Sequence, residues 1–191
     1  MKGLTKFVTV LAKILEVFAW VGSALVLCSL IAIAAGQTGL LKFFSSIETE
    51  EEIRVAGMSI DMSVIDPSRV ITTYVVVFVA LLLILILMGM IFRNIHLIFK
   101  TAEGKTKYSK GCTPFQPDII RMVREVGIFS LLIPAVQIIM SIIARIVIGH
   151  EAAEIAINID LTTVFFGLVV LCLSQFFAYG ARLQEETEGL V

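Results

Sequence analysis

The stretch Val75–Met90, VVVFVALLLILILMGM, decides the fold class, because it is apolar on every face that a helix could present. A helix in a soluble bundle turns a polar stripe toward water, and this stretch has none. It lies within a longer apolar run, Val70–Phe92. A helix needs roughly 20 mostly apolar residues to cross the hydrocarbon core of a bilayer. The run is long enough, and we predict a membrane-spanning helix here.

Three further runs have similar length and composition: Ile14–Ala35, Gly127–Gly149 and Leu161–Ala178. The 191-residue chain is 58% hydrophobic and only 16% charged, and its mean hydropathy is +0.98. Soluble domains are about 45–50% apolar and about 25% charged. The sequence therefore predicts an all-α membrane protein, a single domain of four transmembrane helices embedded in a lipid bilayer.

The distribution of Lys and Arg predicts the orientation of the spans. The segments 1–13, 93–126 and 179–191 hold 11 of the 15 basic residues. Basic residues in short loops stay on the cytoplasmic side. We therefore expect both termini and the middle loop in the cytoplasm, and loops 36–69 and 150–160 outside. The first run could instead be a cleaved signal peptide, but its length of about 20 apolar residues exceeds the 7–15 typical of such peptides.

The two outer loops contain alternating apolar residues. Met58, Ile60, Met62 and Val64 alternate with mostly polar residues, and the pattern recurs over 155–161. Period-two alternation is typical of a half-buried strand. We expect a small two-stranded extracytoplasmic β element, in which roughly Val55–Ile65 pairs with Glu154–Leu161. Flexible loops are the alternative.

The middle loop contains signals for helix ends. Asn94–Lys100 is expected to continue the second span until Gly104 ends the helix. Pro117 and Asp118 are suited to the first turn of a new helix, which should run into the third span.

Three polar residues, Gln137, Ser141 and Arg145, recur at a spacing of four in the third span and so share one helix face. Intramembrane polar residues are candidates for a ligand or ion path. More often such residues join neighbouring helices, and a long side chain such as that of Arg145 can reach the head groups. The sequence leaves both readings open.

Catalytic and metal-binding patterns are missing from the sequence. It has no GxSxG, HExxH, Walker or Rossmann glycine motif. His96 and His150 lack metal-ligand spacing, and the three cysteines form no paired pattern. The net charge of -1 excludes a strongly basic nucleic-acid binder. We expect no enzymatic activity, no cofactor, no metal and no direct contact with nucleic acid.

Two segments resemble one family. Glu103-Gly104, Thr113-Pro114-Phe115 and Ile119–Gly127 are similar to the middle loop of the YoaS-like bacterial membrane proteins, and the tail Gly180–Val191 is similar to theirs. The stretch Lys105–Cys112 is longer than in the family pattern. This family is the domain of unknown function number 2975, so the resemblance implies no catalytic residue. Its members are often encoded beside a small helix-turn-helix transcription regulator, which implies such a regulator as partner.

These observations give two hypotheses about function. The first is a non-enzymatic protein of the bacterial cell membrane that docks a cytoplasmic partner through the middle loop and the tail. The second is a small-molecule or peptide sensor or transporter that uses the polar face of the third span. Whether copies of the chain form a homo-oligomer is left open by the sequence. The candidate docking residues are Pro114, Phe115, Arg121, Arg124, Leu183, Glu185 and Glu186.

Overall fold

The computed structural model describes residues 2–36, 52–55, 57–66, 68–106, 115–149, 153–154 and 161–188. Their regular elements are four helices, three short strands and one turn of 3₁₀ helix. In chain order these are α1 (Lys2–Ala34), β1 (Glu52–Val55), β2 (Met58–Asp61), the 3₁₀ turn (Met62–Val64), α2 (Val70–Ala102), α3 (Pro117–Ile148), β3 (Ala153–Glu154) and α4 (Leu161–Glu188).

Each of the four helices is long and apolar enough to cross a membrane. Their most apolar windows have mean hydropathies from 2.1 to 3.3. At most a third of any such window is buried inside the protein. Apolar side chains without a protein neighbour are stable in lipid and costly in water. The chain is therefore a multi-pass membrane protein by length and composition, and the prediction of four helices long and apolar enough to span a membrane is confirmed.

The ends of α2 and α3 follow the predicted signals. Gly104, with φ +74°, follows α2, and its amide donates to the carbonyl of Thr101 at 3.0 Å. The amide of Lys105 donates to the carbonyl of Lys100, also at 3.0 Å. This pair of bonds is the Schellman arrangement, which satisfies the last carbonyls of a helix. At the start of α3, Pro117 is the first helical residue and the carbonyl of Gln116 accepts from Ile120. Both predictions are confirmed.

The chain separates into two compact units, the first comprising residues 1–19, 87–132 and 161–191 and the second residues 20–86 and 133–160. Three helices contribute to both units, whereas α4 belongs wholly to the first. In the second unit, buried Met58 and Ile60 of β2 pack in one cluster with Tyr74 of α2 and Met140 of α3. The Arg69 guanidinium donates to the carbonyl of Ile148 at 2.9 Å and so caps the end of α3.

The sheet has the order β1-β2-β3, with both pairings antiparallel. The turn between β1 and β2 contains Gly57, whose φ of +77° lies in the left-handed region that favours glycine. Ser59 pairs with Glu154, so the two loops meet as predicted. The prediction of a small β element in this part of the chain is confirmed.

The predicted extent of its strands was wrong. The stretch from Val55 to Ile65 is not one strand: it turns at Gly57, and β2 ends at Asp61. The Asp61 carboxylate accepts from the Ser63 amide at 2.9 Å and from the Ser63 hydroxyl at 2.6 Å. This local bonding favours the 3₁₀ turn over a continued strand. Leu161 begins α4 and is not a strand residue; the predicted strand over 155–160 lies outside the described residues.

In the first unit, α3 and α4 touch at two glycines. A β-carbon on Gly127 would lie 2.8 Å from Cγ of Leu171, and one on Gly167 would lie 2.8 Å from Cγ of Leu131. Each leucine thus fills the space left by the glycine of the other helix. Small residues at such contacts let helix backbones approach closely.

Candidate functional site

Phe115, the first candidate docking residue that the structure describes, lies just before α3 and packs against α4. Its ring centroid is 6.0 Å from that of Phe177, with the two planes at 57°. A β-carbon on Gly180 would lie 2.7 Å from Cε1 of Phe115. Gly180 therefore leaves the space that the Phe115 ring occupies. The predicted loop and tail segments meet at this contact.

The tail continues α4 as regular helix through Glu188, ten residues past the apolar run that the sequence predicted. Leu183 lies nearly one turn beyond Gly180 and keeps 45% of its surface exposed. Glu185 and Glu186 are also exposed. Phe115 itself is 37% exposed, so its contact with α4 leaves part of the ring accessible. Leu183 and Glu186, three positions apart, share one face of this end of α4, whereas Glu185 lies on nearly the opposite face from Leu183.

The predicted basic residues of α3 differ in their contacts. Arg121 donates through Nε to Oε1 of Glu125 at 2.8 Å, while its side chain stays 71% exposed. Arg124 is exposed. Pro114 lies outside the described residues. We call Phe115, Arg121, Arg124, Leu183, Glu185 and Glu186 the loop–tail surface; all six belong to the first compact unit.

A cleft of about 330 Å³ opens beside this surface in the same unit. It lies between the second half of α2 and the first half of α3. On one wall of the cleft, the Glu125 carboxylate accepts a hydrogen bond from Arg121 and another from Nδ2 of Asn94, at 3.1 Å. The residues that line the cleft are Met90, Arg93, Asn94, Leu97, Asp118, Arg121, Met122, Glu125 and Phe129.

Sequence reasoning missed this cleft. The spacing of Arg121 and Glu125 is a signal for a helical ion pair and could have been noticed. No local pattern connects Asn94 with Glu125, which are 31 positions apart. That contact depends on how α2 packs against α3.

The polar face of α3 belongs to the second unit. Ser141 is buried at 6% exposure, and its hydroxyl donates to the Gln137 carbonyl of its own helix at 2.8 Å. The Gln137 side chain lies against the hairpin turn, 3.4 Å from where a β-carbon on Gly57 would stand. Arg145 is half-buried. The Ser141 hydroxyl is therefore satisfied within α3 itself.

One carboxylate at the end of α2 has a shifted pKa. A hydrogen bond from the Lys105 ammonium, 2.6 Å away, holds the pKa of Glu103 below its ordinary value. Glu103 is therefore charged at neutral pH, and the ion pair is lost only as the pH falls through that lowered value. Because the pair is exposed, its contribution to stability is small.

In the described part of the chain, no three His, Cys, Asp or Glu side chains lie close enough together to hold a metal ion. Comparison with family models, with curated proteins and with solved structures gave no match.

Proposed function

We propose that this chain is a non-enzymatic, multi-pass protein of a bacterial cytoplasmic membrane that binds a cytoplasmic protein through the loop–tail surface. Both termini and the middle loop lie in the cytoplasm in this proposal, as the Lys and Arg distribution favours. The packing of Phe115 on Phe177 and Gly180 carries the proposal. It places an exposed aromatic residue of the loop beside the tail helix.

The loop–tail surface carries both signs of charge, and its tail part, on α4, favours a basic, partly apolar partner. Phe115 and Leu183 offer apolar area, and aromatic residues commonly anchor protein interfaces. Glu186, which shares a helix face with Leu183, offers negative charge that complements Lys and Arg. DNA-binding proteins carry such basic surfaces. The partner we propose is a helix-turn-helix transcription regulator, in agreement with the resemblance to the YoaS-like family.

The test is affinity purification of the detergent-solubilised protein from its native cells, with identification of the soluble DNA-binding proteins retained. Phe115→Ala, and separately removal of residues 183–191, should each lower recovery of the partner by about tenfold or more, since an anchor residue contributes about 2 kcal/mol. Phe176→Ala is the matched control, because Phe176 lies next to Phe177 and is 72% exposed. Unchanged recovery with both variants would contradict the proposal.

A second candidate function is a sensor of a small molecule or peptide, and one contact favours it. Gln137 of α3 lies against the hairpin turn at Gly57, so a ligand that moved the hairpin would act directly on α3. Gln137→Ala would then abolish a ligand-dependent change in protease protection of the hairpin. The first function predicts no effect of this variant on partner recovery.

A further inference from the structure

The cleft in the first unit lies where apolar helix segments give way to polar ones. Met90 and Phe129, which line the cleft, belong to the apolar runs of α2 and α3. Arg93, directly after the apolar run of α2, and Asp118, in the first turn of α3, also line it. A ligand that fits this cleft has an apolar portion joined to a charged portion.

The described residues pair only some of the charges in the cleft with one another. Glu125 already accepts from Arg121 and Asn94, so the charges of Glu125 and Arg121 balance each other. Arg93 and Asp118 also line the cleft, and they form no ion pair with any residue of the described chain. Among the described residues of the cleft, one positive and one negative group thus remain for a ligand. A dipolar, zwitterionic ligand satisfies both, whereas a purely anionic ligand would meet the Asp118 carboxylate.

We propose that the cleft binds the head group of a phospholipid that carries a phosphate and a primary ammonium group, as in phosphatidylethanolamine. Arg93 offers the phosphate a planar guanidinium fork. Asp118 accepts hydrogen bonds from the ammonium N–H groups, which a quaternary choline group lacks. The acyl chains lie against the apolar residues. A volume of about 330 Å³ is at the small end of the range for ligand sites and suits a head group.

The test is native mass spectrometry of the purified full chain in detergent, titrated with ethanolamine, choline and glycerol phospholipids of identical acyl chains. The wild-type protein should bind the ethanolamine lipid about tenfold more tightly than the other two lipids. Loss of one hydrogen bond to a charged group weakens binding by about this factor. Arg93→Gln should lower the affinity for the ethanolamine lipid by about tenfold. Asp118→Asn should remove the preference for the ethanolamine lipid, and the anionic glycerol lipid should then bind most tightly of the three.

Arg182→Gln is the matched control, because Arg182 is an exposed arginine of the same unit that lies outside the cleft and outside the loop–tail surface. It should leave the lipid preference unchanged. Circular dichroism and the thermal midpoint of each variant establish that it is folded. Equal binding of the three lipids by the wild type, or an unchanged preference in both cleft variants, would overturn the proposal. Binding of free phosphoethanolamine as tightly as the lipid would also overturn it, in favour of a soluble zwitterion.

Discussion

At the scale of single residues, Gly127 and Gly167 set how closely α3 and α4 approach. A β-carbon on Gly127 would stand 3.1 Å from the carbonyl oxygen of Gly167, as well as 2.8 Å from Leu171. A leucine side chain can turn aside, but a backbone oxygen inside a helix cannot move without its helix. The two backbones must therefore separate if either glycine gains a side chain.

We predict that Gly127→Ala lowers the free energy of unfolding by about 1–3 kcal/mol, the usual cost of overpacking. Gly3→Ala is the control, because a β-carbon at Gly3 meets nothing within 4 Å. It should be neutral or stabilise α1 by up to about 1 kcal/mol through helix propensity. Thermal unfolding in detergent measures both. Equal effects of the two substitutions would show that the α3–α4 contact is not tight.

Asp61 determines where β2 ends. The hydrogen bond from the Ser63 hydroxyl, followed by that from the Ser63 amide, holds the pKa of Asp61 below its ordinary value of 3.8. The charged carboxylate is therefore the form that stabilises the 3₁₀ turn. This contribution is present above pH 3.8 and is lost as the pH falls through the lowered value.

We predict that Asp61→Ala raises deuterium uptake at Ser63 at neutral pH, after correction for intrinsic exchange. In the wild type the same increase should appear only in acid, below the lowered pKa of Asp61. Asp66→Ala removes an exposed carboxylate of the same segment and should leave the uptake at Ser63 unchanged. Uptake that is independent of pH and of Asp61 would contradict this role.

At the scale of elements, the sequence predicted what depends on local chemistry. Pro117 and Gly104 fix helix ends through their own backbone preferences, and both ends lie where predicted. The break at Asp61 was missed because the alternation of Met58, Ile60, Met62 and Val64 continues past it, while a single Asp–Ser pair stops the strand.

The candidate site shows the same division between local and distant information. The aromatic character and position of Phe115 are readable from the loop sequence. Its contact with Phe177 and Gly180 joins residues more than 60 positions apart, and only the packing of α4 brings them together. The Asn94–Glu125 bond that forms one wall of the cleft is of the same kind. Sequence periodicity identifies helix faces but does not pair them.

The pairing of β2 with β3 is testable by a disulfide. Ser59 and Glu154 are register partners in the antiparallel pair. We predict that Ser59→Cys with Glu154→Cys forms a crosslink under mild oxidation, in a background where the native cysteines are serine. Ser59→Cys with Ala153→Cys is the control, because adjacent strand residues point to opposite faces. Equal crosslinking of both pairs would show that the register is not fixed.

At the scale of the whole molecule, orientation in the membrane decides whether the loop–tail surface can meet a cytoplasmic protein. We predict that a reporter active only outside the membrane gives no signal when fused after Val191. The same reporter should give a signal when inserted near Asp66. Signals in the opposite pattern would show that the orientation is reversed and would contradict the proposed function. They would not affect the conclusion that the chain has four apolar helices.

The two ends of α4 allow a direct comparison within one helix. Leu183 is 45% exposed and Leu161 is 74% exposed. At a rise of 1.5 Å per residue the two positions are about 33 Å apart, close to the thickness of a bilayer's hydrocarbon core. They should therefore face opposite compartments.

Photocrosslinking in living cells from these two positions tests the proposed docking most directly. A photoreactive amino acid at Leu183 should crosslink to a soluble cytoplasmic protein with a DNA-binding domain, and Phe115→Ala should abolish that crosslink. The same amino acid at Leu161 should not crosslink to any cytoplasmic protein. Crosslinks from Leu183 only to lipid or to another copy of this chain, or an unchanged crosslink in the Phe115→Ala variant, would contradict the account.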